Sequence, residues 1–87
     1  MIGKKRSAQI ALYCYAAVGN SFAAMHNPRY RGDNFSWEGF PAMMERRCRI
    51  EVAVNVPLPE NISEECKAFA AKTAKGIAQD WVNEMTE

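Results

Sequence analysis

An alternation of apolar and polar residues between positions 48 and 56 constrains the fold of this chain more than any other feature. Apolar side chains occupy every second position, at Cys48, Ile50, Val52, Val54 and Val56. The residues between them are Arg49, Glu51, Ala53 and Asn55. A period of two is typical of a strand with one buried face. Because a lone strand leaves its backbone N–H and C=O groups unpaired, the pattern requires a second strand.

Residues 9–18 are the best pairing partner within the chain. Their apolar face would consist of Ile10, Leu12, Cys14, Ala16 and Val18, with Tyr13 and Tyr15 on the opposite face. The same stretch also suits a helix over residues 7–27, because alanine is abundant and Pro28 would end the helix. We favour the strand because it pairs the 48–56 strand without a second chain. If residues 9–18 are helical, the 48–56 strand pairs across a dimer.

The C-terminal third predicts a long helix. Pro57 and Pro59 end the element before it, and Asn61 is a suitable N-cap. Its inward positions recur at steps of three and four residues, at Ile62, Cys66, Phe69, Ala70, Thr73, Ile77 and Trp81. We expect this helix to pack on the Ile50, Val52 and Val54 face through Phe69, Ile77 and Trp81. A glycine inside a helix costs about 1 kcal/mol relative to alanine, so Gly76 indicates a close backbone contact.

Together these elements predict one small α+β domain over residues 1–87. Its core would be an antiparallel two-stranded sheet, extended by dimerisation if the chain self-associates, packed on the long C-terminal helix. A short middle helix over residues 42–47 would follow Pro41, which suits the first turn of a helix. A chain of 87 residues is of ordinary size for a single domain.

The titratable residues form no pattern typical of catalysis or of metal binding. Cys14, Cys48 and Cys66 include no C-x-x-C pair, and His26 is the only histidine. A nucleophile needs a base within hydrogen-bonding reach, and the spacing indicates no such pair. No glycine-rich phosphate loop is present. We therefore expect no enzymatic activity, no metal and no cofactor, and we expect the three thiols to be buried as small apolar side chains.

The N-terminal residues imitate a secretion signal. Three basic residues at positions 4–6 precede an apolar stretch at 8–18 and a small-x-small sequence at 21–23. Gln9, Tyr13 and Tyr15 interrupt the apolar stretch, and no run reaches the ~20 residues needed to cross a bilayer. We therefore expect a cytoplasmic protein without a membrane span, and a small secreted protein with a cleaved leader is the third hypothesis for function.

The segment from Phe35 to Arg47 is the most informative for function. Aromatic, methionine and arginine side chains are enriched at protein interfaces, although they are also core residues in a small domain. The predicted partner-binding residues are Trp37, Phe40, Met43, Met44, Arg46 and Arg47. The leading hypothesis is a non-enzymatic protein-binding module, an accessory or inhibitor protein of the kind common in phages and mobile elements. Its partner would be another protein or a second copy of the chain.

Binding of single-stranded nucleic acid is the alternative hypothesis. In the two-stranded sheet, the face away from the helix would carry Tyr13, Tyr15, Arg47 and Arg49. Aromatic and basic side chains on an open sheet can stack on bases and hold phosphates. Glu51 on the same face and a net charge of only +1 weigh against this alternative.

Overall fold

Three α-helices make up most of the chain. The computed structural model describes residues 2–86, in which α1 spans Lys4–Ala24, α2 spans Phe40–Asn55 and α3 spans Ser63–Thr86. Two short 3-10 turns, Pro28–Tyr30 and Glu60–Ile62, lie in the connections. No strand occurs between residues 2 and 86, so the predicted α+β fold with a two-stranded sheet is wrong.

The strand predicted at residues 9–18 lies inside α1. Ile10, Cys14 and Val18 are fully buried, whereas Leu12, in the same alternating set, is 72% exposed. A step of four residues returns to nearly the same face of a helix, so a column spaced by four is buried while Leu12 lies on another face. The helical alternative is therefore correct, although α1 begins at Lys4 and ends at Ala24 instead of spanning residues 7–27.

The strand predicted at residues 48–56 forms the C-terminal part of α2. The buried column of α2 again has a spacing of four: Phe40, Met44, Cys48, Val52 and Val56. Ile50 and Val54 lie on the outer face and are 71% and 83% exposed, so α3 does not pack on them as predicted. The middle helix predicted at residues 42–47 is correct in place, with Pro41 in its first turn, but α2 is 16 residues long.

Helix α3 packs against α1 and α2 through a column of mainly small residues: Cys66, Ala70, Ala74, Ala78 and Val82. Alanine at the contact lets neighbouring helix backbones approach closely. Phe69, Ile77 and Trp81 are only partly buried at the edges of this face. The predicted cap, Asn61, lies in the 3-10 turn before Ser63. Among the described residues, no heavy atom outside the backbone of α3 itself lies within 4 Å of the position that a Cβ would take at Gly76, so the predicted close contact is wrong.

The three helices enclose an apolar interior, and no polar or charged residue among residues 2–85 is buried in it. Burial of Cys14, Cys48 and Cys66 is confirmed. The Cys14 thiol donates a hydrogen bond to the carbonyl oxygen of Ala70 at 3.4 Å. The proximity of the Cys48 thiol, together with burial, raises the pKa of Cys14 above its usual range. The Cys14 thiol is therefore protonated and unreactive in the folded protein.

Polar contacts connect the helices along their exposed edges. The Arg6 guanidinium donates to the carbonyl oxygen of Pro57, which ties the start of α1 to the chain after α2. Lys75 lies 4.0 Å from Glu45 across the α2/α3 edge. Exposed pairs of this kind contribute about 0–1 kcal/mol, so the apolar columns carry the stability. None of the helices between residues 2 and 86 combines the length and the apolar character needed to cross a bilayer.

Candidate functional site

Seven rings at one end of the bundle contact one another and form what we call the aromatic cluster. Its members are Tyr15, Phe22, His26, Phe35, Trp37, Phe40 and Trp81. From one end to the other, the ring centroids of Phe35 and Trp37 are 5.0 Å apart, those of Trp37 and Phe22 5.2 Å, and those of Phe22 and Trp81 5.4 Å. The ring of Tyr15 meets the other side of Trp81 at 5.4 Å.

Each helix and the loop before α2 contribute to this cluster. Tyr15 and Phe22 come from α1, His26 comes from the turn that follows it, and Trp81 comes from α3. Trp37 comes from a turn in which the backbone N–H of Gly39 donates to the Ser36 hydroxyl at 3.1 Å. Tilted and edge-on ring pairs contribute about 0.5–1.5 kcal/mol each beyond the burial of area. The cluster therefore holds the loop against the ends of α1 and α3.

Phe40 is the fully buried ring of the cluster, and four of the other rings are partly buried: Phe22, Phe35, Trp37 and Trp81. A partly buried ring is ordered by its neighbours and still presents an edge or a face to solvent. The cluster is thus both a part of the core and a part of the surface.

His26 has a structural role in this cluster. Its Nδ1 lies 2.7 Å from the carbonyl oxygen of Phe22. A carbonyl oxygen only accepts, so Nδ1 carries the proton and donates. The imidazole ring lies 4.7 Å from the ring of Phe22 and 4.8 Å from that of Trp37. The bond to Phe22 and the two ring contacts account for the position of this histidine without any catalytic role.

Arg31 occupies the loop end of the aromatic cluster. Its guanidinium carbon lies 5.6 Å from the ring centroid of Phe35 and 5.9 Å from that of Trp37. Its Nε donates to the carbonyl oxygen of Met25. These distances are within the range of a cation–π contact. This end of the cluster therefore already holds a cation of the chain itself.

The opposite end of the cluster opens into a groove between α1 and α3, which we call the aromatic groove. Its volume is about 610 Å³, and it is lined by Gly19, Phe22, His26, Trp81, Glu84 and Met85. The absence of a side chain at Gly19 leaves room beside the indole of Trp81, whose nearest atom is 3.8 Å from the position of a Cβ. Met85 is 38% exposed, and Glu84 is the acidic residue of the lining.

The structure divides the six residues predicted to bind a partner. Phe40 and Met44 are fully buried, so they do not belong to the surface. Trp37 and Met43 are partly buried, and the remaining two residues, Arg46 and Arg47, are exposed. Met43 and Arg47 line a second depression of about 410 Å³, next to the loop that carries Phe35.

The two tyrosines predicted to bind nucleic acid lie on different sides of α1. The Tyr13 hydroxyl oxygen is buried and lies beside Cys48 and Glu51 of α2. Burial, followed by the proximity of these two groups, raises the pKa of Tyr13 to about 12. Tyr15 instead faces Trp81 of α3. The two rings therefore cannot stack on neighbouring bases of one strand.

The two arginines of the same prediction also point to different helices. Arg47 donates to the Ser21 hydroxyl of α1 at 3.0 Å. Arg49 pairs with Glu64 of α3 at 3.4 Å. The open sheet face on which the nucleic-acid hypothesis depended does not exist, because residues 9–18 and 48–55 are helical.

Sequence reasoning missed the aromatic groove. It placed Phe22 in a leader-like sequence and Trp81 in the core, and it gave Gly19 and Met85 no role. Phe22 and His26 are four residues apart, which on a helix places two rings on one face. Once residues 9–18 were assigned to a strand, this spacing carried no meaning.

No three His, Cys, Asp or Glu side chains within the described part of the chain come together as a set of metal ligands. Comparison of the chain with protein-family models, with curated proteins and with solved structures found no match. The site itself therefore carries the argument for function.

Proposed function

We propose that this chain is a non-enzymatic protein-binding module and that the aromatic groove is its binding surface. The observation that carries the proposal is an open groove of about 610 Å³ with Phe22, Trp81 and Met85 on its walls. Concave apolar surfaces with a few polar groups at the edge are typical of binding sites. Tryptophan is among the residues that most often dominate binding energies.

The position of the groove supports this proposal further. His26 lines the groove, and the preceding residue, Met25, lines the second depression together with Met43 and Arg47. A partner that spans both would contact Met43 and Arg47, two of the residues predicted to bind a partner. The described residues of the site are ordered rings without a paired nucleophile and base. The protein would therefore act by binding to its partner, as an accessory or inhibitor protein does.

We also propose that the protein acts in the cytoplasm. Cys14, Cys48 and Cys66 are all free thiols. Small secreted domains are usually rich in disulfides, whereas cytosolic proteins keep their thiols reduced. The test is alkylation of the protein in the cytoplasmic fraction, with the number of modified thiols read from the intact mass. All three thiols should be modified after the protein is unfolded, and they should be protected while it is folded because they are buried.

The binding proposal is tested with two matched variants. Met85→Lys places a charge inside the aromatic groove, and Val54→Lys places the same charge on the outer face of α2, where Val54 is 83% exposed. Both positions are exposed, so both variants should keep the thermal midpoint. The partner is isolated with the wild-type chain, purified, and titrated against all three proteins by calorimetry, with sedimentation to detect self-association.

We expect Met85→Lys to weaken the complex at least about tenfold, since covering a new ammonium with the partner removes its hydration at a cost of more than 1.4 kcal/mol. Val54→Lys should bind as the wild type does. Equal affinity of all three proteins would show that the binding surface lies elsewhere, and loss of binding by Val54→Lys alone would assign it to α2.

A further inference from the structure

We infer that the aromatic groove receives an arginine side chain of a protein partner, with Glu84 as the carboxylate that pairs with the guanidinium. This inference rests on the proposed binding function of the groove and specifies the chemistry of the partner. Three features of the described residues support it: an internal precedent, the charge of the groove, and the arrangement of its walls.

The precedent is Arg31. Its guanidinium already lies over Phe35 and Trp37, at 5.6 and 5.9 Å from their centroids. Rings of Phe22 and Trp81 continue the same cluster toward the groove. One end of the cluster therefore holds a guanidinium on aromatic rings, and the other end presents rings of the same kind to an open space.

The charge of the groove favours a cation. Among the described residues, Glu84 is the carboxylate on its wall, and neither a lysine nor an arginine of that part of the chain lines it. One turn before Glu84, Asp80 is also exposed on α3. An acidic segment or a phosphate would be repelled by Glu84. A purely apolar side chain would cover this carboxylate without pairing with it, which is unfavourable.

The walls suit the shape of arginine in particular. A long alkyl stem can lie on the rings of Phe22 and Trp81 while its planar head remains at the rim. Guanidinium stacks on aromatic faces and pairs with carboxylates through parallel N–H donors, which an ammonium cannot do. The groove thus combines the two kinds of partner that a guanidinium prefers, aromatic rings and a carboxylate.

The experiment uses Nα-acetyl-arginine amide as the probe and Nα-acetyl-citrulline amide as its uncharged analogue of nearly the same shape. Both are titrated into the ¹⁵N-labelled full chain at pH 8. The readout is the indole N–H resonance of Trp81, with that of Trp37 as an internal reference, each assigned with a Trp→Phe variant. The variant Glu84→Gln removes the charge at the groove, and Glu60→Gln removes a charge before α3, at its opposite end.

We expect the arginine probe to shift the Trp81 resonance in a saturable manner. Its affinity should be about fivefold higher than that of the citrulline probe, which is the contribution of a partly exposed ion pair. Glu84→Gln should abolish that difference, and Glu60→Gln should leave it unchanged. Equal binding of the two probes would overturn the inference of a cation while leaving the groove as a binding site. If Glu84→Gln and Glu60→Gln show the same affinity difference between the two probes, the role of Glu84 is overturned. No response to either probe up to its solubility limit would overturn the inference, whereas the calorimetric comparison of Met85→Lys with Val54→Lys tests the proposed function independently of either probe.

Discussion

Replacement of Gly76 by alanine should stabilise this protein. Gly76 lies inside α3, on its exposed side, and apart from the backbone of α3 itself no heavy atom of the described residues lies within 4 Å of the position where a Cβ would be built. Its φ angle is not positive, so an L side chain is accepted without backbone strain. The methyl group of Gly76→Ala would therefore meet solvent and displace nothing.

The expected gain follows from helix propensity. Glycine in a helix interior is about 0.8–1.0 kcal/mol less favourable than alanine, largely because the unfolded chain has more conformations to lose. We therefore expect Gly76→Ala to raise the free energy of unfolding by about 1 kcal/mol. For a domain of this size, that gain corresponds to a rise in the thermal midpoint of about 4–8 °C.

The measurement is thermal and urea unfolding followed by far-UV circular dichroism, with an unchanged urea m-value as the sign that only stability has changed. The matched control is Ala68→Gly, an exposed position on the same helix. It should lower stability by about the same amount. A neutral or destabilising Gly76→Ala beside a destabilising Ala68→Gly would refute the reasoning, because it would mean that something occupies the space next to Gly76.

Two further predictions test the burial of Met44 in the core and the burial of the Tyr13 hydroxyl between α1 and α2. Met44→Ala should destabilise the protein by about 2–5 kcal/mol in urea unfolding, because Met44 is fully buried. Met43→Ala should cost clearly less, since Met43 is only partly buried, and equal costs would contradict the assigned face of α2. In an absorbance titration, one tyrosine should ionise near its raised pKa of about 12, and Tyr13→Phe should remove that step. Because the folded-state pKa of Tyr13 lies above its ordinary value of 10.0, the stability from its protonated form is complete below pH 10 and decreases as the pH rises through about 12; a titration without this late step would refute the burial of its hydroxyl.

The sequence by itself determined α3 and part of the interior. Proline residues before the helix and apolar positions at steps of three and four predicted α3 to within a few residues of its start at Ser63. The three cysteines were expected to be buried from their number and spacing, and they are. These predictions held because each depends on local properties, namely proline geometry, helical periodicity and the lack of paired thiols.

Only the tertiary structure decided between strand and helix for residues 9–18 and 48–56. Every second position of these segments is apolar, and a set with period two contains a set with period four. Helices α1 and α2 bury the period-four subset, including Cys14 and Cys48, and leave Leu12, Ile50 and Val54 exposed. These period-four residues are buried against the alanine column of α3. The two segments are therefore stabilised by helix packing and need no pairing between strands.

The aromatic groove was also decided by tertiary structure. Phe22 and Trp81 are far apart in the chain, and each alone is an ordinary apolar position of an amphipathic helix. They meet at 5.4 Å because the packing of α1 on α3 brings the C-terminal parts of the two helices together beside the small residue Gly19. A contact between distant residues depends on the geometry of helix packing, which local sequence patterns do not contain.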